Sequence, residues 1–153
     1  MDTESLRTKI AALAAKHDAM VFVDDSHASG FIGKRLVRRL ARTLGERDRL
    51  VLLVQAKNAR AAGEPLAALG AARAEVIEGD LEQMHLGVSG PEFKSLAREV
   101  TDVWHLAARS DLASGRAEMR RVNVEGTRNV LELAQAARRL RRLVHFSTAW
   151  VSG

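Results

Sequence analysis

Ser29-Gly30-Phe31-Ile32-Gly33 follows the short apolar run Val21-Phe22-Val23 and opens a long amphipathic stretch. A buried strand, a glycine turn and then a helix is the layout of a βα turn that receives a dinucleotide pyrophosphate. Glycine suits that turn because a Cβ would hold phosphate away from the backbone N–H groups, while the first helical turn adds partial positive charge. Other reactive or ligand-binding residue types follow later apolar runs: Lys57 and Arg60, Asp80 with Leu81, Ala107 with Ala108, and Ser147 with Thr148. The segment Gln55-Ala56-Lys57-Asn58-Ala59-Arg60 lacks the acid that usually pairs with unphosphorylated ribose hydroxyls. Its two cations favour NADP over NAD through the 2′-phosphate, with solvent-facing charge as the alternative. The Asp80 carboxylate can accept from an adenine amino group or cap the helix that follows.

These residues need elements to position them. Leu6, Ile10, Leu13 and Ala14 predict a helix over Glu4 to Lys16, making residues 1–18 an N-terminal helical extension to a nucleotide-binding domain at 19–153. A first strand is expected at Met20 to Asp24. Ile32, Leu36, Val37, Leu40 and Leu44 then recur at helical spacing, with Gly45 as the C-cap. Leu50 to Gln55 carries the continuous run LVLLV of a strand covered on both faces. A helix at Arg60 to Leu69, interrupted by Gly63 and Pro65, leads to a third strand at Ala74 to Ile77. After a loop with Gly87, Gly90 and Pro91 come a helix at Glu92 to Val100, a strand at Asp102 to Leu106, a helix at Ala117 to Arg139 and a strand at Leu143 to Ser147. Strands alternating with helices give an α/β, doubly wound parallel sheet of the Rossmann-like kind, with about five strands. Ligands of such sheets bind outside the carboxyl ends of the strands, which is where every residue singled out above falls.

Composition narrows the function classes. The 153 residues amount to about one domain, and no apolar run approaches the roughly 18 residues of a membrane span. The chain contains no cysteine, which excludes disulfides, thiolate nucleophiles and thiolate metal sites, and no metal site is expected. A cytoplasmic location follows from that and from the charged N-terminus. Net charge is +5, yet the basic residues are dispersed and aromatics make up 4%, which argues against nucleic acid and for a surface attractive to a phosphorylated cofactor.

The segments GDLEQMHLGV, VWHLAA, VNVEGTRNVLELA and VHFSTAWVSG, with GFIG, resemble in order and spacing the extended short-chain dehydrogenase/reductase superfamily. Within it the chain is most similar to the thioester reductase and fatty acyl-CoA reductase group, over nearly everything after residue 20. The resemblance implies that Asp80 contacts the adenine amino group and that Ala107 and Ala108 lie against the cofactor ribose. It implies that Asn123 braces the active-site strands and holds a proton-relay water, and that Ser147, flanked by Thr148, hydrogen-bonds the substrate carbonyl. Gly126 would allow close helix-to-sheet approach, and His105 reads as a packed, hydrogen-bonded histidine. The family's TGxxGFxG pattern is matched only in its second half: Ser26 and His27 stand where it has threonine and the first glycine, behind Asp24 and Asp25. The family's proton donor is a Tyr-x-x-x-Lys pair beyond the serine, and this chain contains no tyrosine.

Three readings follow. The chain is the NADP-binding, N-terminal part of a reductase acting on an acyl-carrier or CoA thioester or a related carbonyl. Otherwise it is a degenerate dinucleotide-binding module without chemistry, or an interaction remnant that binds no nucleotide. Ending after a fifth strand would leave an edge flanked by apolar Val144 and Phe146, which implies a homo-oligomer or a further C-terminal region.

Overall fold

The computed structural model describes residues 20–24, 31–63, 66–67, 73–109 and 115–147. The expected N-terminal helix, Ser29, Gly30, His27 and Thr148 lie outside them. Five strands, β1 (Met20–Asp24), β2 (Arg49–Val54), β3 (Ala74–Glu78), β4 (Val100–His105) and β5 (Arg142–His145), form one sheet in the order β3-β2-β1-β4-β5. Every neighbouring pair is parallel. The chain thus winds outward from β1 to β3, then returns to the other side of β1, and the reversal falls between β1 and β4.

β2 shows why the sequence makes a central strand. Leu50 to Val54 are all buried, 0 to 2% exposed. Alternation sends Val51 and Leu53 into one core cluster, and Leu50, Leu52 and Val54 into the other. Each such side chain contributes roughly 1.5–3 kcal/mol by leaving water. The second cluster is closed by α1 (Phe31–Thr43), which buries Val37 and Leu40, and by the short α2 (Ala59–Gly63), which buries Ala62. The 3-10 turn Ala56–Asn58 joins β2 to α2, which begins one residue before the expected Arg60; residues 64–65 and 68–69 of the expected helix lie outside the described residues.

Gly45 is not a left-handed C-cap. Gly87 alone among the described glycines has positive φ. The end of α1 is satisfied instead by the Thr43 hydroxyl, which donates to Arg39 O at 3.0 Å, and by the Arg73 guanidinium, which reaches Leu44 O at 3.2 Å and Gly45 O at 2.7 Å.

The opposite face is covered by α3 (Gly90–Glu99) and by a long composite helix: α4 (Arg116–Arg120), a π-helical segment (Arg121–Gly126) and α5 (Thr127–Ala136). Helix α3 starts earlier than Glu92, since Ser89 is its N-cap and Pro91 sits in the first turn; Val100, expected to end it, is already the first residue of β4. Ser89 Oγ accepts from Glu92 N–H at 3.4 Å, and Glu92 returns a carboxylate to Ser89 N–H at 2.9 Å. The bonds from Ser89 hold the Glu92 carboxyl below its ordinary range. A depressed acid stabilises the fold above its unfolded pKa, and that stabilisation disappears as pH falls through the folded value. Ser89→Ala is expected to destabilise the protein by about 1 kcal/mol at neutral pH. Urea titrations should show the wild-type advantage shrinking in acid; an advantage that grows there would contradict the capping box.

At the β5 edge, Val144 and Phe146 are half-buried against the second cluster, Phe146 with its ring 6.4 Å from that of Trp104. Among the described residues β5 is the end strand of the sheet, so the expected unpaired edge is there, while these two side chains themselves lie against the core. Leu143 and His145, on the other face, are exposed, Leu143 at 36%.

Candidate functional site

Parallel pairing brings the carboxyl ends of all five strands to one edge. There the ladder runs one residue past the strands: Gly79 N–H donates to Val54 O and Phe146 N–H to His105 O, each at 2.9 Å. The opposite edge is cross-linked by charge. Arg49 pairs with Glu99 at 2.9 Å and with Glu75 at 3.3 Å, and Arg141 with Asp102 at 2.8 Å. At the carboxyl edge, by contrast, Lys57 and Arg60 are exposed after β2 and form no ion pair with another described residue. Phe31, Ile32 and Gly33 form the first turn of α1, a helix with no acidic residue there.

After β3 the backbone closes into a tight turn around Asp80. Its carboxylate accepts from Glu82 N–H at 2.9 Å and from Gln83 Nε2 at 3.2 Å, while its own N–H donates to Leu86 O at 2.8 Å. Asp80 thus caps its own turn, and the next long helix is capped by Ser89, so the simple N-cap alternative does not hold. His85, Leu86 and Gly87 are all left-handed, with φ of 57°, 61° and 73°. For the two non-glycine residues this costs about 1–2 kcal/mol each. Complete burial of Leu86 and stacking of His85 on Phe93 at 4.7 Å offset part of that strain. Leu81 is buried in the core.

After β4, Ala107 is buried and Ala108 half-buried, and the chain is then clasped by Asn123. Arg109 N–H donates to Asn123 Oδ1 at 2.7 Å, and Asn123 Nδ2 donates back to Arg109 O at 2.9 Å. The Arg109 side chain also pairs with Glu118. Asn123 sits in the π-helical segment, where the Thr127 hydroxyl donates to its carbonyl at 2.8 Å. His105 Nε2 lies 2.8 Å from that same hydroxyl, whose one proton is already committed to a carbonyl. This side-chain pair ties β4 to the composite helix. His105 is 1% exposed and stacks on His145 at 4.7 Å, matching the expected packed histidine.

Ser147 is exposed just beyond β5 and forms no hydrogen bond with another described residue. Gly126 does allow close approach, though its neighbour is the Asp80 turn: a Cβ there would lie 3.2 Å from Leu81 Cβ. Sequence reasoning missed Asn129, whose Nδ2 donates to Leu81 O at 2.6 Å and Gln83 O at 3.1 Å, and Arg121, which pairs with Glu82 at 3.1 Å. The only local signal was a second amide in NVEGTRN. Among the described residues no His, Cys, Asp and Glu group could hold a metal ion, and no helix is long and apolar enough to cross a membrane.

Comparison with known proteins adds to this geometry. Residues 28–153 match the NAD-binding family described as Male sterility protein. A Drosophila melanogaster protein named as a fatty acyl-CoA reductase, CG8306, is 33% identical over 141 residues, covering 82% of this chain and 27% of its own length. The reductase domain of a nonribosomal peptide synthetase from Mycobacterium tuberculosis superposes with a TM-score of 0.71 at 26% identity, covering 97% of this chain and 38% of that one. A dTDP-glucose 4,6-dehydratase double mutant from Streptomyces venezuelae with NAD bound gives 0.64 at 27% identity, over 84% of this chain and 39% of that one. The chain spans less than half the length of each.

Proposed function

The chain belongs to the NAD-binding Male sterility protein family, and from that premise we propose that it is the NADP-binding part of a short-chain-type oxidoreductase whose full-length form reduces an acyl-carrier or CoA thioester, or a related carbonyl. One observation carries the reading: the strands that lead into the candidate residues end at the same edge of a parallel sheet whose order reverses beside β1, and two exposed cations on that edge, after β2, have no ion-pair partner among the described residues. The residues fit a phosphorylated dinucleotide. Ser29, Gly30, Phe31, Ile32 and Gly33 would hold its pyrophosphate, and Lys57 with Arg60 its 2′-phosphate. Asp80 and the Leu81 backbone would meet adenine, and Ala107, Ala108 and Thr148 the nicotinamide riboside. NAD is the less favoured coenzyme, for want of an acid after β2.

When bound, the coenzyme supplies hydride. Asn123 would hold the loop after β4 through its two backbone bonds, and Ser147 would donate its hydroxyl proton in a hydrogen bond to the substrate carbonyl. These 153 residues contain no tyrosine, so the acid that completes the family's reduction is not among them. Binding rather than turnover is therefore the activity to measure.

Titration with NADPH, followed by tryptophan fluorescence, should show saturable binding tighter than NADH. Removing both cations in Lys57→Ala/Arg60→Ala should weaken NADPH by at least about tenfold, the loss of one charge-assisted contact, and leave NADH nearly unchanged. Equal effects on the two coenzymes would show that the cations are merely solvated. No binding at millimolar coenzyme would leave the interaction-remnant reading.

A further inference from the structure

We propose that Asn129 is the positioning residue for the adenine side of the crevice, holding the Asp80 turn in the geometry that lets its carboxylate select an amino-bearing base; this rests on the coenzyme reading above. Its carboxamide nitrogen spends both protons on the turn, donating to Leu81 O at 2.6 Å and to Gln83 O at 3.1 Å. Those two carbonyls flank the residue that donates its N–H to the Asp80 carboxylate, Glu82, at 2.9 Å. One amide on α5 thus sets the backbone that aims the acid.

The turn needs such a hold. It contains three consecutive left-handed residues, two of them not glycine, and burial of Leu86 with stacking of His85 on Phe93 offsets only part of that strain. Gly126 brings the helix within reach, since a Cβ there would already press on Leu81 at 3.2 Å. The other tether, Arg121 to Glu82, is half exposed on the arginine side and contributes little. The Asp80 oxygens each accept one bond within the turn, and each keeps a lone pair for a further donor.

The test compares NADPH with its hypoxanthine analogue, which lacks the exocyclic amine, on the full chain. Wild type should prefer NADPH by about tenfold, the effect of one hydrogen bond to a charged acceptor. Asn129→Leu should weaken NADPH and bring the ratio of the two affinities close to one. A role confined to folding would weaken both ligands alike and keep the ratio, and that result overturns the proposal. So does a wild type that binds both equally. If Asn129→Leu does not fold, Asn129→Ser serves instead: one shorter hydroxyl proton cannot hold both carbonyls, so the ratio should again fall toward one. A Ser variant that keeps the wild-type ratio counts against Asn129. A wild type that binds neither ligand removes the coenzyme reading itself, an outcome distinct from a variant that discriminates as wild type does.

Discussion

Gly79→Ala is expected to destabilise the fold by about 2–3 kcal/mol, within the range of overpacking substitutions. A Cβ at this position would lie 2.5 Å from Leu86 O and 2.6 Å from Leu53 Cδ1. Neither can retreat cheaply. The Leu86 carbonyl already accepts from Asp80 N–H at 2.8 Å, and Leu53 is 2% exposed in the packed core. Left-handed backbone is not the reason, because Gly79 is absent from the positive-φ residues. Thermal unfolding should shift downward by roughly 5–10 °C for a domain of this size. A shift under about 2 °C would mean that the turn moves aside freely, and that its strain is smaller than its dihedral angles imply.

Gly30→Val is expected to weaken NADPH binding by at least about a hundredfold, the loss of two charge-assisted backbone contacts, while leaving the fold intact. A branched side chain just ahead of Phe31, where α1 begins, would stand between phosphate and the amide groups of the first helical turn. Calorimetry on the variant, beside circular dichroism to show that it folds, gives the answer. Unchanged affinity would place the ligand away from this turn and dismantle the pyrophosphate assignment.

Local pattern carried much of the architecture. The unbroken apolar run after Arg49 could only be a strand covered on both faces, and the helix after Phe31 followed from apolar residues repeating every three or four positions. Alternation of the two kinds of segment was enough to place Lys57, Asp80, Ala107 and Ser147 beyond the carboxyl ends of parallel strands. Both inferences rest on side-chain periodicity, which a chain writes within a few neighbouring residues.

Tertiary structure decided the rest, because the forces concerned act between distant residues. Arg73, not Gly45, closes the end of α1. Val144 and Phe146 gain cover from the cluster around Trp104. The left-handed run His85-Leu86-Gly87 breaks local preference and stands only because Leu86 is wholly buried and the turn is tied from outside. Asn129 and Leu81 meet across 48 positions, a hydrogen bond whose donor and acceptor have no common pattern in the primary structure. Periodicity reports which face of an element seeks the core; which polar atoms then find one another depends on how those faces are finally stacked.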